Sequence, residues 1–510
     1  MEIKAIFTLL AIWALIILVI IFTQGHLVDE STHSFVGLFL RDLAKDWFSN
    51  PTFSFKKIYN YAIAYLAYYP KISLHYPPVP QMFFALVYSV FEPSLIVSRI
   101  VVLLFSIGLA ILVYLFAYKI FRKKEIALLA VSTLITSPII VLTSTQALQE
   151  IPFAFFFLLT IFLFLKAFEK ANLKNFVLAS VSTVFCVLSK WQAVTIFPVV
   201  LIYGFLVEKK NLKHLIFSFC LAALILSPYY FILWKTNLLS VPLKANLEAD
   251  LHDPTWLELR GWTYYLEALV LNQFFFPIGL ILLLSICLYI KNKKKNWKLF
   301  LIWIATVFVI MVFVHNKDAR YDINILPAFV IPSSFVIYSF LKKRKIFVWV
   351  FLALIVSQLL FALTSLPKGA SDIQEISEYV VEKSKGNILM TTELGTGSEF
   401  IFEIARIDRF RHQVFRSCLV EDYNNTFDDL IKEFGIEYVI ASKELKTDKL
   451  QNFYQYITKS RNFEVEREFK EFLIIRNKNF VGKPEKICNY ICATKEKICS
   501  EFKNPREALR

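Results

Sequence analysis

AIFTLLAIWALIILVIIFT (residues 5–23) runs straight into QGHLVDESTH (residues 24–33), and the junction between the two decides what kind of molecule this is. The first stretch carries no charged side chain and is long enough to cross a bilayer as a helix, which takes about 20 apolar residues. The second delivers two adjacent carboxylates, Asp29 and Glu30, to the point where such a helix leaves the membrane. Carboxylates are costly beside hydrocarbon, so their presence there points to chemistry, here a general base where lipid and water meet. The competing reading is local: Asp29 or Ser31 caps a following helix by accepting a hydrogen bond from a free amide of its first turn. The rest of the chain has to choose between the two.

Its composition is that of a membrane protein. Of 510 residues, 57% are hydrophobic, with 51 Phe against 12 Gly, and the mean hydropathy is +0.54, outside the range of ordinary soluble enzymes. The first apolar run is longer than a signal-peptide core and no small-x-small cleavage site precedes Asp29, so it reads as a retained helix. The net charge of +15 collects in short loops between apolar runs, which argues against a nucleic-acid partner and for orientation in a bilayer. Residues 31–48 place Phe35, Leu38, Phe39, Leu43 and Trp47 on one helical face, the pattern of a helix lying in the interface. His75-Tyr76-Pro77-Pro78 makes a rigid extended turn into Val79–Phe91, too short to span and read as a second interfacial element.

Ten longer runs follow, at about 94–120, 126–145, 151–167, 175–190, 193–207, 215–234, 271–290, 299–314, 323–341 and 346–364, making eleven spans with the first. Five of the intervening loops hold 18 Lys and Arg against three acids, Glu125, Glu169 and Glu208. The positive-inside rule turns that bias into an orientation: the amino terminus and these loops are cytoplasmic, and every other loop faces out. The expected architecture is an α-helical polytopic membrane domain over residues 1–365, with a first outer loop at 24–93, and a small extracytoplasmic α/β domain over 366–510. In that tail, helices are expected at 372–385, 427–434 and 448–458, strands at 387–391 and 437–441, and a hairpin from 464–468 and 472–476. Asn424-Asn425-Thr426 is a glycosylation sequon on the outer side. Cys418, Cys488, Cys492 and Cys499 also lie there, with three disulfide pairings open.

The outward loops carry a particular set of side chains. Asp29, Glu30 and Glu150 are acids; Lys190, Lys317 and Arg320 are cations, the last beside Tyr321. A carboxylate can take a proton from an acceptor hydroxyl while Lys and Arg hold an anionic leaving group, phosphate above all. That is the set needed to move a group off a lipid phosphate, with fixed cations stabilising the charge that the phosphate accumulates. Each residue also has a plainer role: Lys190 and Arg320 as snorkelling anchors, Glu150 as a helix-start acid, Tyr321 as an interfacial aromatic. Their accumulation on the side away from the basic loops favours the joint reading. His75, His252 and His315 are too scattered to make a zinc site by spacing.

Val28-Asp29-Glu30, His75-Tyr76-Pro77-Pro78, Gln146-Ala147-Leu148-Gln149-Glu150-Ile151-Pro152, Leu188-Ser189-Lys190 and Ala319-Arg320-Tyr321 with Ile325-Leu326-Pro327 occur in this order and on one side. Over residues 1–365 the chain thereby resembles glycosyltransferase superfamily C, in particular the protein O-mannosyltransferases and the lipid A aminoarabinose transferase. The resemblance implies an inverting transferase that uses a polyprenyl-phosphate sugar, with Asp29 as base and Lys190, Arg320 and Tyr321 near the lipid phosphate. It places Glu150 at a position where relatives often have Asp, and Tyr76 where they have a basic residue. It puts His75 near a position linked to zinc in the aminoarabinose branch, so a divalent metal is a possible cofactor. The acceptor can be a protein, a lipid or a glycan. An oligosaccharyltransferase shares the architecture, but the tail has no Trp-Trp-Asp-type motif. A transporter or flippase would place ionisable groups at mid-bilayer in paired repeats, whereas here they sit at span ends.

Overall fold

The computed structural model describes residues 2–70, 75–170, 172–241, 253–392, 397–445, 447–484, 487–491 and 496–509. The chain forms two compact units.

The first unit comprises Met1–Thr23, Leu74–Pro80 and Arg99–Pro367. All eleven expected spans are helical there, but they differ in length. Six helices among the described residues are long and apolar enough to cross a membrane: Lys4–Thr23, Leu95–Phe121, Glu150–Lys170, Lys209–Lys235, Ile323–Leu341 and Lys345–Thr364. A further pair of helices, Lys124–Ile135 and Pro138–Ser144, is long and apolar enough only when taken together, and the two meet at 67°. Proline is the cause: Pro138 has no N–H to continue the ladder, and it holds Ser137 extended at φ −66°, ψ 139°. The other four, Leu173–Val187, Trp191–Val207, Phe276–Lys291 and Trp297–Val312, are shorter apolar helices.

Because lipid offers no driving force between apolar helices, small hydroxyls and amides join them. The hydroxyls of Thr160 and Ser182 meet at 2.8 Å, those of Ser180 and Ser218 at 2.7 Å, and the Gln358 amide donates to the Thr133 carbonyl and the Thr136 hydroxyl. Buried Arg99 donates a hydrogen bond from Nη1 to the Ile21 carbonyl near the end of the first helix. Helix Glu150–Lys170 gives this unit two chemically different ends about 30 Å apart. In its last turn Glu169 pairs with Lys119, and nearby Lys123 lies over the Tyr338 ring; in its first turn is Glu150.

The second unit comprises Gln24–Ser73, Gln81–Ser98 and Lys368–Arg510. The first outer loop thus packs with the tail, a grouping that differs from the boundary at 365/366 read from composition. Five strands form its sheet in the order β2-β1-β3-β5-β4: β1 Asn387–Thr391, β2 Val414–Phe415, β3 Ile436–Ser442, β4 Phe463–Glu468 and β5 Phe472–Asn477. β2, β1 and β3 run parallel, and β5 is antiparallel to both β3 and β4. Leu389, Val439 and Ile475 pack there with Leu430, Phe453 and Ile457 from helices Phe427–Glu433 and Asp448–Lys459. A further hairpin, β6 Ile487–Ile491 and β7 Glu496–Ser500, is closed by a Cys488–Cys499 disulfide. Cys418 is disulfide-bonded too, and Cys492 lies outside the described residues.

Helix Val28–Ser49 departs from its expected interfacial character, since Glu30 to Phe39 are buried on all sides. Tyr61, Tyr65 and Tyr69 explain part of this. Spaced by four, they line one face of the following helix, Phe55–Tyr68, and its cap, and each is buried. Their hydroxyls donate to Asp46 at 3.0 Å, Asp42 at 3.0 Å and Asp408 at 2.7 Å, tying the loop helices to each other and to the tail helix Gly397–Asp408.

Candidate active site

Within the first unit the structure brings three of the expected residues together. Glu150 opens its helix, and Lys190 lies between helix Leu173–Val187 and the turn Trp191–Thr195. Lys190 Nζ donates to Glu150 Oε1 at 2.7 Å, both side chains more than nine-tenths buried, and the same ammonium lies 4.7 Å from the centre of the Tyr321 ring. One buried cation is thus held by a carboxylate on one side and an aromatic face on another. Burial and the nearby Asp318 carboxylate push the Tyr321 hydroxyl above the usual tyrosine value, so it remains an O–H donor.

The turn at residues 75–79 is pinned beside this group. Gln149 Nε2 donates to the Pro77 carbonyl at 2.9 Å, the Val79 amide to the Leu188 carbonyl at 2.8 Å, and the Tyr229 hydroxyl to the Tyr76 carbonyl at 3.3 Å. His75 and Tyr76 lie half-buried with their rings 4.4 Å apart. Arg320 is half-buried and oriented by Asp318, whose Oδ2 accepts from Nε at 2.9 Å and Nη2 at 2.7 Å.

Lys317 is placed differently. Its ammonium donates to the carbonyls of Met311, Val312 and Val314 at 3.0, 2.9 and 2.6 Å, closing the carboxyl end of helix Trp297–Val312. All three of its protons are spent on the backbone, so this geometry gives it a helix-end role in place of an anion-holding one. Reading from sequence also passed over Asp322 and Gln273. The Gln273 amide donates to the Asp322 carboxylate and, at 2.7 Å, to the Ala319 carbonyl, which fixes the backbone leading into Arg320 and Tyr321. Burial pushes the Asp322 carboxyl well above the usual carboxylate range, against the lowering pull of the Gln273 hydrogen bond and the Lys190 charge. An acid directly after Arg320-Tyr321, at the threshold of an apolar helix, was the available signal.

Asp29 and Glu30 belong to the second unit and separate into two roles. Both lie in the first turn of helix Val28–Ser49. Glu30 is buried and accepts the Leu27 amide at 3.1 Å, the reach-back half of a capping box, while Asp29 is exposed. The capping contact is thus made by Glu30, where the sequence offers Asp29 or Ser31; the Ser31 hydroxyl instead donates to the Leu27 carbonyl, and Asp29 is exposed. Among the described residues no group of three or more His, Cys, Asp or Glu is arranged to hold a metal ion. His252, one of the scattered histidines, lies outside them.

The sequence profile of the family described as dolichyl-phosphate-mannose-protein mannosyltransferase matches residues 75–234, which include Tyr76, Glu150 and Lys190. Over most of the chain the backbone superposes on ArnT from Cupriavidus metallidurans in the apo state, with a TM-score of 0.65 at 13% identity, covering 95% of this chain and all of that one. The chain has the same fold as ArnT. The same fold relates it to ArnT bound to undecaprenyl phosphate, at a TM-score of 0.63 and 12% identity over 94% of this chain and 99% of that one. It also relates it to the Archaeoglobus fulgidus oligosaccharyltransferase, at 0.52 and 14% over 81% and 68%. A sequence relative, an uncharacterized protein of Aquifex aeolicus, is 27% identical over 299 residues, which are 56% of this chain and 59% of that protein's length.

Proposed function

We propose that the protein is an integral-membrane glycosyltransferase that moves a sugar from a polyprenyl phosphate to an acceptor hydroxyl at the extracytoplasmic face, with inversion at the anomeric carbon. The observation that carries this is the buried Glu150–Lys190–Tyr321 group at one end of a helical bundle with the same fold as ArnT. A buried ammonium kept in place by a carboxylate and an aromatic ring is a preorganised anion holder. The fold's occurrence in a protein bound to undecaprenyl phosphate makes a lipid phosphate the fitting anion.

In this reading Asp29 takes the proton of the acceptor hydroxyl, and the acceptor oxygen bonds to the anomeric carbon as the bond to the phosphate oxygen breaks. The electron pair leaves with the polyprenyl phosphate. Lys190 and Arg320 stabilise the charge that develops there, and Tyr321 offers its O–H. Glu150 keeps the Lys190 ammonium oriented, and Tyr76 and His75 border the same group as contacts to the sugar phosphate. Glu30 holds the turn that carries Asp29. The acceptor is a protein, lipid or glycan hydroxyl.

The test is consumption of undecaprenyl- and dolichyl-phosphate-linked hexoses and pentoses by the purified protein, beside Asp29→Asn. One donor is expected to be turned over by the parent protein, and Asp29→Asn is expected to lower that rate by about a hundredfold or more with donor binding retained. Unchanged turnover in Asp29→Asn would leave Asp29 a surface residue of a helix start.

A further inference from the structure

The tail is joined to the segment that carries Asp29 by a contact with a specific construction. Residues 24–27 form a one-pair antiparallel bridge with residues 369–370: the His26 amide donates to the Ala370 carbonyl at 3.0 Å, and the Ala370 amide returns a bond to the His26 carbonyl at 2.9 Å. The two backbones approach so closely that only glycine fits on either side. A Cβ on Gly25 would fall 2.5 Å from the Gly369 carbonyl oxygen, and one on Gly369 would fall 2.4 Å from that of Gly25. Beside the bridge, His26 Nε2 lies 3.2 Å from Glu403 Oε1, and the other Glu403 oxygen is held by Arg406. Glu403 is almost wholly buried, so its charge is expensive unless both partners stay in place. One turn later the Thr32 hydroxyl donates to Ser398 at 3.1 Å.

These contacts bracket Asp29, with His26 three residues before it and Thr32 three after, while Asp29 itself stays exposed. We infer that the tail acts as the positioning element for the base: the Gly25–Gly369 clasp and the His26–Glu403 pair hold the first turn of helix Val28–Ser49 so that the Asp29 carboxylate keeps one direction. This rests on the role proposed for Asp29. His26, Glu403, Gly25 and Gly369 touch no reacting atom in this scheme and act through the backbone that carries the base. A base displaced by about an ångström loses much of its effect while the side chains proposed to hold the lipid phosphate, none of which belongs to the clasp, are left unchanged, so the signature is a fall in kcat with the donor KM retained.

The test compares His26→Ala, His26→Gln and Gly369→Ala in the full-length protein, in the donor-consumption assay that shows Asp29→Asn to be impaired, with amide hydrogen exchange over residues 24–33 as a second reading. His26→Ala and Gly369→Ala are expected to speed exchange in that segment and lower kcat by about tenfold or more with the donor KM little changed. His26→Gln, whose amide can still donate to Glu403, is expected to recover most of both. If Asp29→Asn is impaired but His26→Ala and Gly369→Ala turn over donor at the parent rate, the tail does not position the base and the inference fails alone. The inference also fails if KM rises as much as kcat falls, or if His26→Gln is no better than His26→Ala. Full turnover by Asp29→Asn removes the proposed base, and this role for the tail with it.

Discussion

Lys190 shows how much one side chain can depend on its neighbours. Its ammonium sits beside a buried carboxylate that is 40 residues away in the chain. Removing the cation while leaving the acid is expected to cost more than removing both, because a buried charge that loses its counter-ion keeps its desolvation penalty. Lys190→Met should therefore lower stability by about 3–5 kcal/mol, and adding Glu150→Gln should recover part of that loss, as read from unfolding midpoints in one detergent. Donor turnover should be lost in both. Asp322 makes the pH prediction. Its carboxyl pKa is raised in the folded protein, so between the ordinary value and the raised one the native state holds a proton that the unfolded chain has released. Stability should fall as pH climbs through that window, and Asp322→Asn should flatten the dependence, with a gain over the parent protein at the alkaline end. A parent and a variant with parallel stability–pH curves would refute it.

At the scale of elements, Tyr61, Tyr65 and Tyr69 stand four apart in the sequence, which does not mark them as hydrogen-bond donors. A four-residue spacing says that they share a face; it does not say that Asp42, Asp46 and Asp408 will be there to meet them. Burial raises the pKa of the Asp42 carboxyl, with Arg41 and the Tyr65 hydroxyl among the groups that oppose the rise. Tyr65→Phe should cost about 1–3 kcal/mol by removing a donor from a buried acid while leaving the ring packing intact. The terminal hairpin is held similarly, with the Asn489 amide donating to the Ala67 and Val414 carbonyls at 3.0 and 2.9 Å and Cys488 bonded to Cys499. Changing both Cys488 and Cys499 to Ser should lower the stability of the second unit by about 2–4 kcal/mol, and limited proteolysis should then cut in the hairpin first. The expected tail helices and strands appear within a few residues of their sequence positions, since each carries its own periodicity. β2 went unread because two residues, Val414 and Phe415, have no pattern of their own and are strand only by pairing with β1. Helix Gly397–Asp408 was missed because buried Glu399 and Glu403 interrupt its apolar face.

For the whole molecule, the proposed orientation makes its own prediction. The loops with 18 Lys and Arg should face the cytoplasm and the tail the opposite side. With Cys220 and Cys287 replaced by Ser, a cysteine at Lys294 should react with a membrane-impermeant maleimide only after the membrane is opened, and one at Asn424 should react in intact cells. The reverse pattern would overturn the orientation and, with it, the extracytoplasmic placement of the reaction.

What the chain determined unaided were properties that each segment carries within itself: which stretches form apolar helices, where the basic loops lie, and that an α/β region follows. These depend on hydrophobicity and charge counted over short windows, so no partner is needed to read them. Tertiary structure decided the pairings. Glu150 with Lys190, Asp322 with Gln273, and residues 24–73 with the tail are contacts between segments tens to hundreds of residues apart. The same holds for Lys317 and Arg320, two cations three residues apart, one spent on a helix end and the other turned to Asp318. Charge type was legible in the sequence; the direction of each side chain was set by the backbone that came to lie beside it.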